Sequence, residues 1–168
     1  MGFKYTTDLF EIRSAVTESA ANTFTEQTIN VNLDSLNREI LIIMSVDLDC
    51  GTPSLVAGTS TSVNAHLTKN SKSAAVNISD PACVSQFQKQ VRSLGAPDPM
   101  CFLSVDDLPA AQADLPYLAI SATDDLFLGV AGGNNVGAVS AHVLIRARRA
   151  RADADTYAAL ITSEANLG

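Results

Sequence analysis

LNREILIIMSVDLDCGTP, residues 36–53, carries five consecutive apolar side chains, Ile40 to Met44, and then two aspartates spaced two apart, Asp47 and Asp49. With period two, Ile40, Ile42, Met44, Val46 and Leu48 share one face, while Leu41, Ile43, Ser45, Asp47 and Asp49 share the other. Such a strand begins buried on both sides and ends at a wet rim. A chemical reading competes with this one. Residues i and i+2 of a strand lie on one face about 7 Å apart, so the two carboxylates could share a cation or form an acid/base pair. That use needs further ligands converging from elsewhere, with Asp106-Asp107 and Asp124-Asp125 as the available acidic pairs. The rim reading is preferred: carboxylates on an emerging strand face water and discourage edge-to-edge pairing. Gly51-Thr52-Pro53 then ends the strand.

The same alternation recurs on both sides. Upstream, TFTEQTINVNL (23–33) separates Phe24, Ile29, Val31 and Leu33 by polar residues. Downstream, strands are expected at 55–68, around Ala74, Val76 and Ile78, at Phe102–Val105, at Tyr117–Ser121, at Leu126–Val130 and at Val136–Ala147. Ala131 to Asn135, AGGNN, is read as a hairpin turn, because glycine and asparagine tolerate positive φ. Three stretches suggest helix. Leu9, Ile12, Val16 and Ala20 are three or four apart behind a capping Asp8, although the segment reads equally well as an arm ordered against a neighbour. Asp80-Pro81 followed by Val84, Phe87, Gln88 and Val91, with Gly95 as the stop, has the form of a capped helix. Near the C-terminus, Asp153 or Asp155 caps a stripe of Tyr157, Leu160 and Ile161.

About eight strands without strand–helix alternation imply an all-β antiparallel fold rather than a parallel sheet. Two stacked four-stranded sheets, a jelly-roll sandwich, fit the count and the length. The expected additions are a short N-terminal helix or arm, one mid-chain helix and a C-terminal helix. The corresponding division is an arm or helix at 1–22, the sandwich at 23–150 and a C-terminal helix or arm at 151–168.

Composition narrows the function. A chain of 168 residues buries a sizeable core unaided, and 46% hydrophobic with 17% charged residues is not a disordered composition. No apolar run approaches the roughly 20 residues of a membrane helix. MGFKYTTDLFEIR has no apolar signal core, which leads to the expectation of a protein made in the cytoplasm. Cys50, Cys83 and Cys101 are odd in number and widely spaced, arguing against a disulfide framework and a zinc site. The net charge of −7 excludes a generally basic nucleic-acid binder, yet four of the eleven Lys and Arg lie at Arg146, Arg148, Arg149 and Arg151. Along a strand Arg146 and Arg148 fall on one side and Arg149 and Arg151 on the other. The cluster suits phosphates of nucleic acid or of an internal membrane, an acidic neighbouring subunit, or plain solvation.

Catalytic patterns are missing. His66 and His142 are the only histidines, no Gly-x-Ser-x-Gly elbow or phosphate-cradling glycine loop occurs, and Cys50 with His66 is a pair by arithmetic alone. No catalytic, cofactor or metal residue is assigned. With no Trp, three Tyr and six Phe, the chain is poorly supplied for stacking on sugars.

The layout resembles the single jelly-roll major capsid proteins of small tailless icosahedral viruses, of the phage or archaeal virus type. The likeness is carried by the N-terminal arm, NTFTEQTINVNL, the apolar strand LNREILIIMSVDLD, one mid-chain helix, and a closing strand that leads into ADADTYAALITSE, across residues 22–165. It implies a structural, self-assembling shell subunit without catalytic activity, made in the host cytoplasm and residing in the virion. The expected partner is the chain itself, then other virion proteins, with nucleic acid or an internal membrane meeting the arginines. Leu9, Ile12 and Val16 are expected to bury against a neighbouring subunit. The alternative is a non-enzymatic β-sandwich binding or adhesion module, a trimer included.

Overall fold

The computed structural model describes residues 2–94, 101–107 and 115–167. Its strands are β1 (Phe3–Tyr5), β2 (Phe10–Thr17), β3 (Thr25–Asn30), β4 (Glu39–Cys50), β5 (Thr61–Thr68), β6 (Cys83–Ser93), β7 (Cys101–Asp107), β8 (Ala119–Ser121), β9 (Asp125–Gly133) and β10 (Ser140–Ala152). One helix, α1 (Ala154–Ala165), follows them. Among the described residues all pairings are antiparallel, in two five-stranded sheets. The first sheet runs β2–β10–β4–β8, with β1 also on β10; the second runs β3–β9–β5–β6–β7. Ten strands among the described residues replace the expected eight: β1, β2 and β6 form where no strand was expected, and the one expected around Ala74, Val76 and Ile78 does not.

The strand order makes this a jelly-roll-like sandwich. From β2 to β5 the chain changes sheet once, returns, and changes again; β9 and β10 then insert between those earlier strands. The core between the sheets is aliphatic: Leu41, Ile43, Val46, Val63, Ala65, Leu67, Leu126, Leu128, Val130, Val143, Ile145 and Ala147 are all buried there. A second, smaller cluster lies on the far side of the first sheet. There Ile40, Ile42, Ala150 and Ala152 are covered by Phe3, Tyr117, Tyr157 and Leu160, so α1 packs on the sheet through Tyr157 and Leu160. Asp153 caps that helix by accepting from Thr156 N at 2.8 Å.

β4 departs from simple alternation. Ala147 pairs with Ile43 but Arg146 with Ser45, leaving Met44 as the extra residue of a bulge. The phase of the strand reverses there. Leu41 and Ile43 point into the core before the bulge, and Val46 and Cys50 after it, while Ile40, Ile42 and Met44 belong to the outer cluster. The expected grouping of Ile40, Ile42 and Met44 with Val46 and Leu48 on one face is therefore corrected. An unbroken apolar run hides such a slip, because either phase leaves hydrophobic side chains on both faces.

Two expected helices are strands. Phe10–Thr17 forms β2, held along its length by β10 from Phe10↔Ala147 to Thr17↔Ser140. Asp80 to Gly95 was expected to be helical, but Cys83–Ser93 is β6 and Gly95 lies outside the described residues. A spacing of four is a multiple of two, so Ile12/Val16 and Phe87/Val91 satisfy both periods. Asp80 does use its cap chemistry, accepting from Ala82 N at 2.8 Å, but it closes a turn. No strand forms around Ala74, Val76 and Ile78; the chain there is an irregular segment. Of AGGNN, expected to be a hairpin turn, Ala131 to Gly133 are the paired end of β9; the chain leaves the strand only at Asn134, at φ 57, and passes to the other sheet instead of closing a hairpin.

Candidate functional site

Asp47 and Asp49 lie on the outer face of the C-terminal half of β4, exposed, as a rim requires. Two different strands claim them. Arg146 of β10 donates Nη1 to Asp47 at 2.6 Å and also approaches Glu11 of β2 at 3.5 Å. Lys89 of β6 reaches across the end of the sandwich to Asp49 at 2.8 Å and to the carbonyl of Cys50. The hydrogen-bonded Lys89 ammonium holds the Asp49 carboxyl below its usual range, against an opposing effect of burial. Each carboxylate thus has its own cation, and the geometry separates them instead of pairing them. Among the described residues no three His, Cys, Asp or Glu side chains are grouped to hold a metal ion. Asp124 is engaged as an acceptor for Leu33 N at 3.1 Å, and the side chains of Asp106 and Asp107 lie outside the described residues.

An open groove of about 680 Å³ borders these aspartates, lined by Arg13, Ala15, Asp47, Asp49, His142 and Leu144 among others. Its charges are mixed, Arg13 facing Asp47 and Asp49 among the lining residues. The variant Asp47→Asn/Asp49→Asn is expected to lose no more than about 1 kcal/mol, since exposed ion pairs contribute little. Thermal melts at neutral pH test this; a much larger drop would give the aspartates a structural or ligand-binding role.

The four arginines are used unequally. Arg146 is paired as described. Arg149 donates to Glu39 at 2.9 Å and to the carbonyls of Val31 and Asn32 at 2.8 and 3.1 Å, so it ties the end of β3's sheet to β10. Arg148 faces the other side, its guanidinium 5.2 Å from the Tyr5 ring centre and its buried Nε without a partner. Arg151, opposite Lys4 and Glu39 in register, is exposed. Arg151 is thus the exposed member of the cluster, and Arg148, half-buried, joins it in having no ion pair among the described residues.

Of the N-terminal apolar residues, Val16 is buried in the core between the sheets and Ile12 packs against it, whereas Leu9 is exposed. The burial that a helical stripe would have needed from a neighbour is supplied to Ile12 and Val16 by the chain itself. Leu9 remains available to another molecule.

Three buried polar side chains carry no sequence signature. Glu18 accepts from three backbone amides, Gly132 at 2.6 Å, Val139 at 3.0 Å and Asn22 at 3.3 Å. Glu164 of α1 accepts from Ala122 N through both oxygens and lies 3.6 Å from Lys69. His66 is fully buried on the outer face of the second sheet, with neither ring nitrogen bonded. Burial pushes its pKa down to about 4. Burial also raises the thiols of Cys50 and Cys83 to about 11, making them poor nucleophiles. Cys50 is on β4's core face and His66 on the outer face of the opposite sheet, so they form no catalytic pair.

No family model matches the sequence, and no curated protein matches it. Among solved structures, the chain is similar to one from the structure of Cocksfoot mottle virus, at 13% identity and a TM-score of 0.34, covering 91% of this chain and all of that one. It is also similar to a chain from Desmodium yellow mottle tymovirus, at 10% identity and a TM-score of 0.26, covering 87% of each.

Proposed function

We propose that the protein is a structural, self-assembling capsid subunit without catalytic activity, of the single jelly-roll kind found in small tailless icosahedral viruses. The observation that carries this reading is the filled sandwich. Jelly rolls serve as capsid domains, lectins and metal-binding enzymes, and the enzymatic uses need polar ligands directed between the sheets. Here that space is packed with Val, Leu, Ile and Ala, and both histidines sit on outer faces. A chain built this way acts through its outside, which favours association over turnover. The proposed partners are further copies of the chain and other virion proteins, and the proposed location is the virion.

Size-exclusion chromatography with negative-stain microscopy on the full chain tests the proposal. Symmetric capsomers or megadalton particles are expected; a clean monomer across concentration would refute it. Within that reading, Arg148 and Arg151 are assigned to contact with a neighbouring subunit, because a net charge of −7 opposes genome contact. Arg148→Gln/Arg151→Gln is expected to yield free, folded subunits. Well-formed but empty particles would move the contact to the genome, and unchanged filled particles would leave the two side chains simply solvated. Arg149 is kept in this test, since its bonds to the Val31 and Asn32 carbonyls support the fold.

A further inference from the structure

His66 lies at the centre of a row that crosses the outer face of the second sheet. The register places Glu26 of β3 beside Gly129 of β9, Gly129 beside His66 of β5, and His66 beside Gln86 of β6. The imidazole covers Gly129 so closely that a Cβ there would sit 2.4 Å from Nε2. Phe24 stacks on the ring, with centroids 5.7 Å apart and planes 11° from parallel.

Residues 69–82 are fastened to both ends of this row. Glu26 accepts from Lys72 N at 2.9 Å and from Ser71 Oγ at 2.5 Å. Gln86 accepts from Ile78 N at 3.0 Å. The segment is closed on itself by Lys72–Asp80 at 3.1 Å and, at its base, by Lys69 N bonded to the Ala82 carbonyl at 3.0 Å. It also grips the end of α1: Lys69 pairs with Glu164, Asn70 donates to the Glu164 carbonyl and Lys72 to that of Leu167.

We propose that residues 69–82 form an acid-released strap: closed over a neutral His66, and opened when that ring takes a proton. The ring has no acceptor for even one N–H, so a second N–H and a positive charge have nowhere to go in the closed arrangement. The charged groups acting on it are Asp80 and Lys72 from the strap; Glu26 of β3 lies in the same row beyond Gly129 of β9, and the Lys69–Glu164 pair closes the strap's base. Burial is the largest effect and opposes protonation, Asp80 favours it less strongly, and Lys72 sides with burial. Because the closed-state pKa lies below the ordinary value, the closed state is favoured above about pH 6.5 and loses ground as pH falls from there toward 4. Opening uncovers Phe24 and the His66 face and unties the C-terminal end of α1. The device operates within a single chain, assembled or not.

Hydrogen exchange on the full chain reads it directly. Corrected for intrinsic rates, protection of the 69–82 amides is expected to fall by up to about tenfold per pH unit between about pH 6.5 and 5, while β4 and β10 stay protected. His66→Phe, which keeps the stack on Phe24, should abolish the dependence; His66→Gln serves the same purpose if the phenylalanine does not fold. A strap that stays protected in the wild type down to about pH 5 would overturn the proposal. So would equal loss in the variants, which would assign the effect to Glu26 and Asp80. As an independent check, NMR titration of the His66 ring should show no protonation near its ordinary pKa while the strap remains protected.

Discussion

Deleting Asp47 is expected to unfold the domain, although Asp47→Asn is nearly silent. The carboxylate matters little; the residue's place in the alternation matters a great deal. After the bulge, Val46, Leu48 and Cys50 point inward and Asp47 and Asp49 outward. Removing Asp47 turns Leu48 and Cys50 toward water and drives Asp49 into the aliphatic core, away from Lys89. An unpaired buried carboxylate and the lost apolar packing together should cost more than about 4 kcal/mol, comparable to the stability of a domain this size. Deleting Met44 is the control. It removes the bulge residue itself and leaves Ile43, Ser45 and Val46 in regular alternation against Ala147, Arg146 and Ile145, so that variant should fold with a moderate loss. Circular dichroism and urea titration separate the two. A cooperative transition near the wild-type midpoint for the Asp47 deletion would mean that β4 is not pinned as described.

Glu18→Ala should be the most damaging single side-chain truncation outside the aliphatic core. The carboxylate gathers three amide donors from the β2–β3 connection, β9 and the entry to β10, so it fastens the two sheets at one end. Its loss strands those donors in a site too enclosed to hydrate them well. At about 1–3 kcal/mol for each unsatisfied buried group, discounted for partial relaxation, the expected cost is about 3–5 kcal/mol. That corresponds to a melting temperature lower by roughly 10 °C or more. Glu18→Gln keeps one accepting oxygen but turns an NH2 toward amide donors, and should fall about midway. If Glu18→Ala melted within a degree or two of the wild type, water would have to be serving those amides already.

Which parts of this were legible in the sequence follows from how each signal arises. β3, β5, β9, β10 and α1 were legible because no four-residue spacing competed with their patterns: alternation in β3 and β10, a weaker alternation in β5, a short apolar run before a turn signal in β9, and an Asp153 cap before Tyr157 and Leu160 in the helix. β2 and β6 were not, because their key pairs are four apart and a spacing of four fits both periods. In β6 the confusion was deepened by Lys89, a charged residue on the inward-facing side that escapes the core by reaching Asp49. AGGNN signalled that the chain leaves its strand, which it does only at Asn134, but not that it changes sheet, since local φ preferences do not encode the destination of the next strand. The rim reading of Asp47 and Asp49 agrees with their exposure, but Lys89 and Arg146 as their partners come from strands far away in sequence. The tasks of Glu18, Glu164 and His66 are set entirely by tertiary neighbours, and nothing local to them signals burial.

The position of β10 has a consequence for how the chain is made. It leaves the ribosome after every other described strand, yet it pairs with β1, β2 and β4, and Phe3 meets Ala152. Until about residue 152 has emerged, β1 and β2 have no strand to pair with and β4 lacks its main neighbour. The first sheet therefore closes only after β10 has emerged, in a step that joins strands about 150 residues apart in sequence and is slow for that reason. During translation the Ile40–Met44 run stays uncovered, and a nascent chain stalled or cut before β10 presents it to every other unfinished copy nearby.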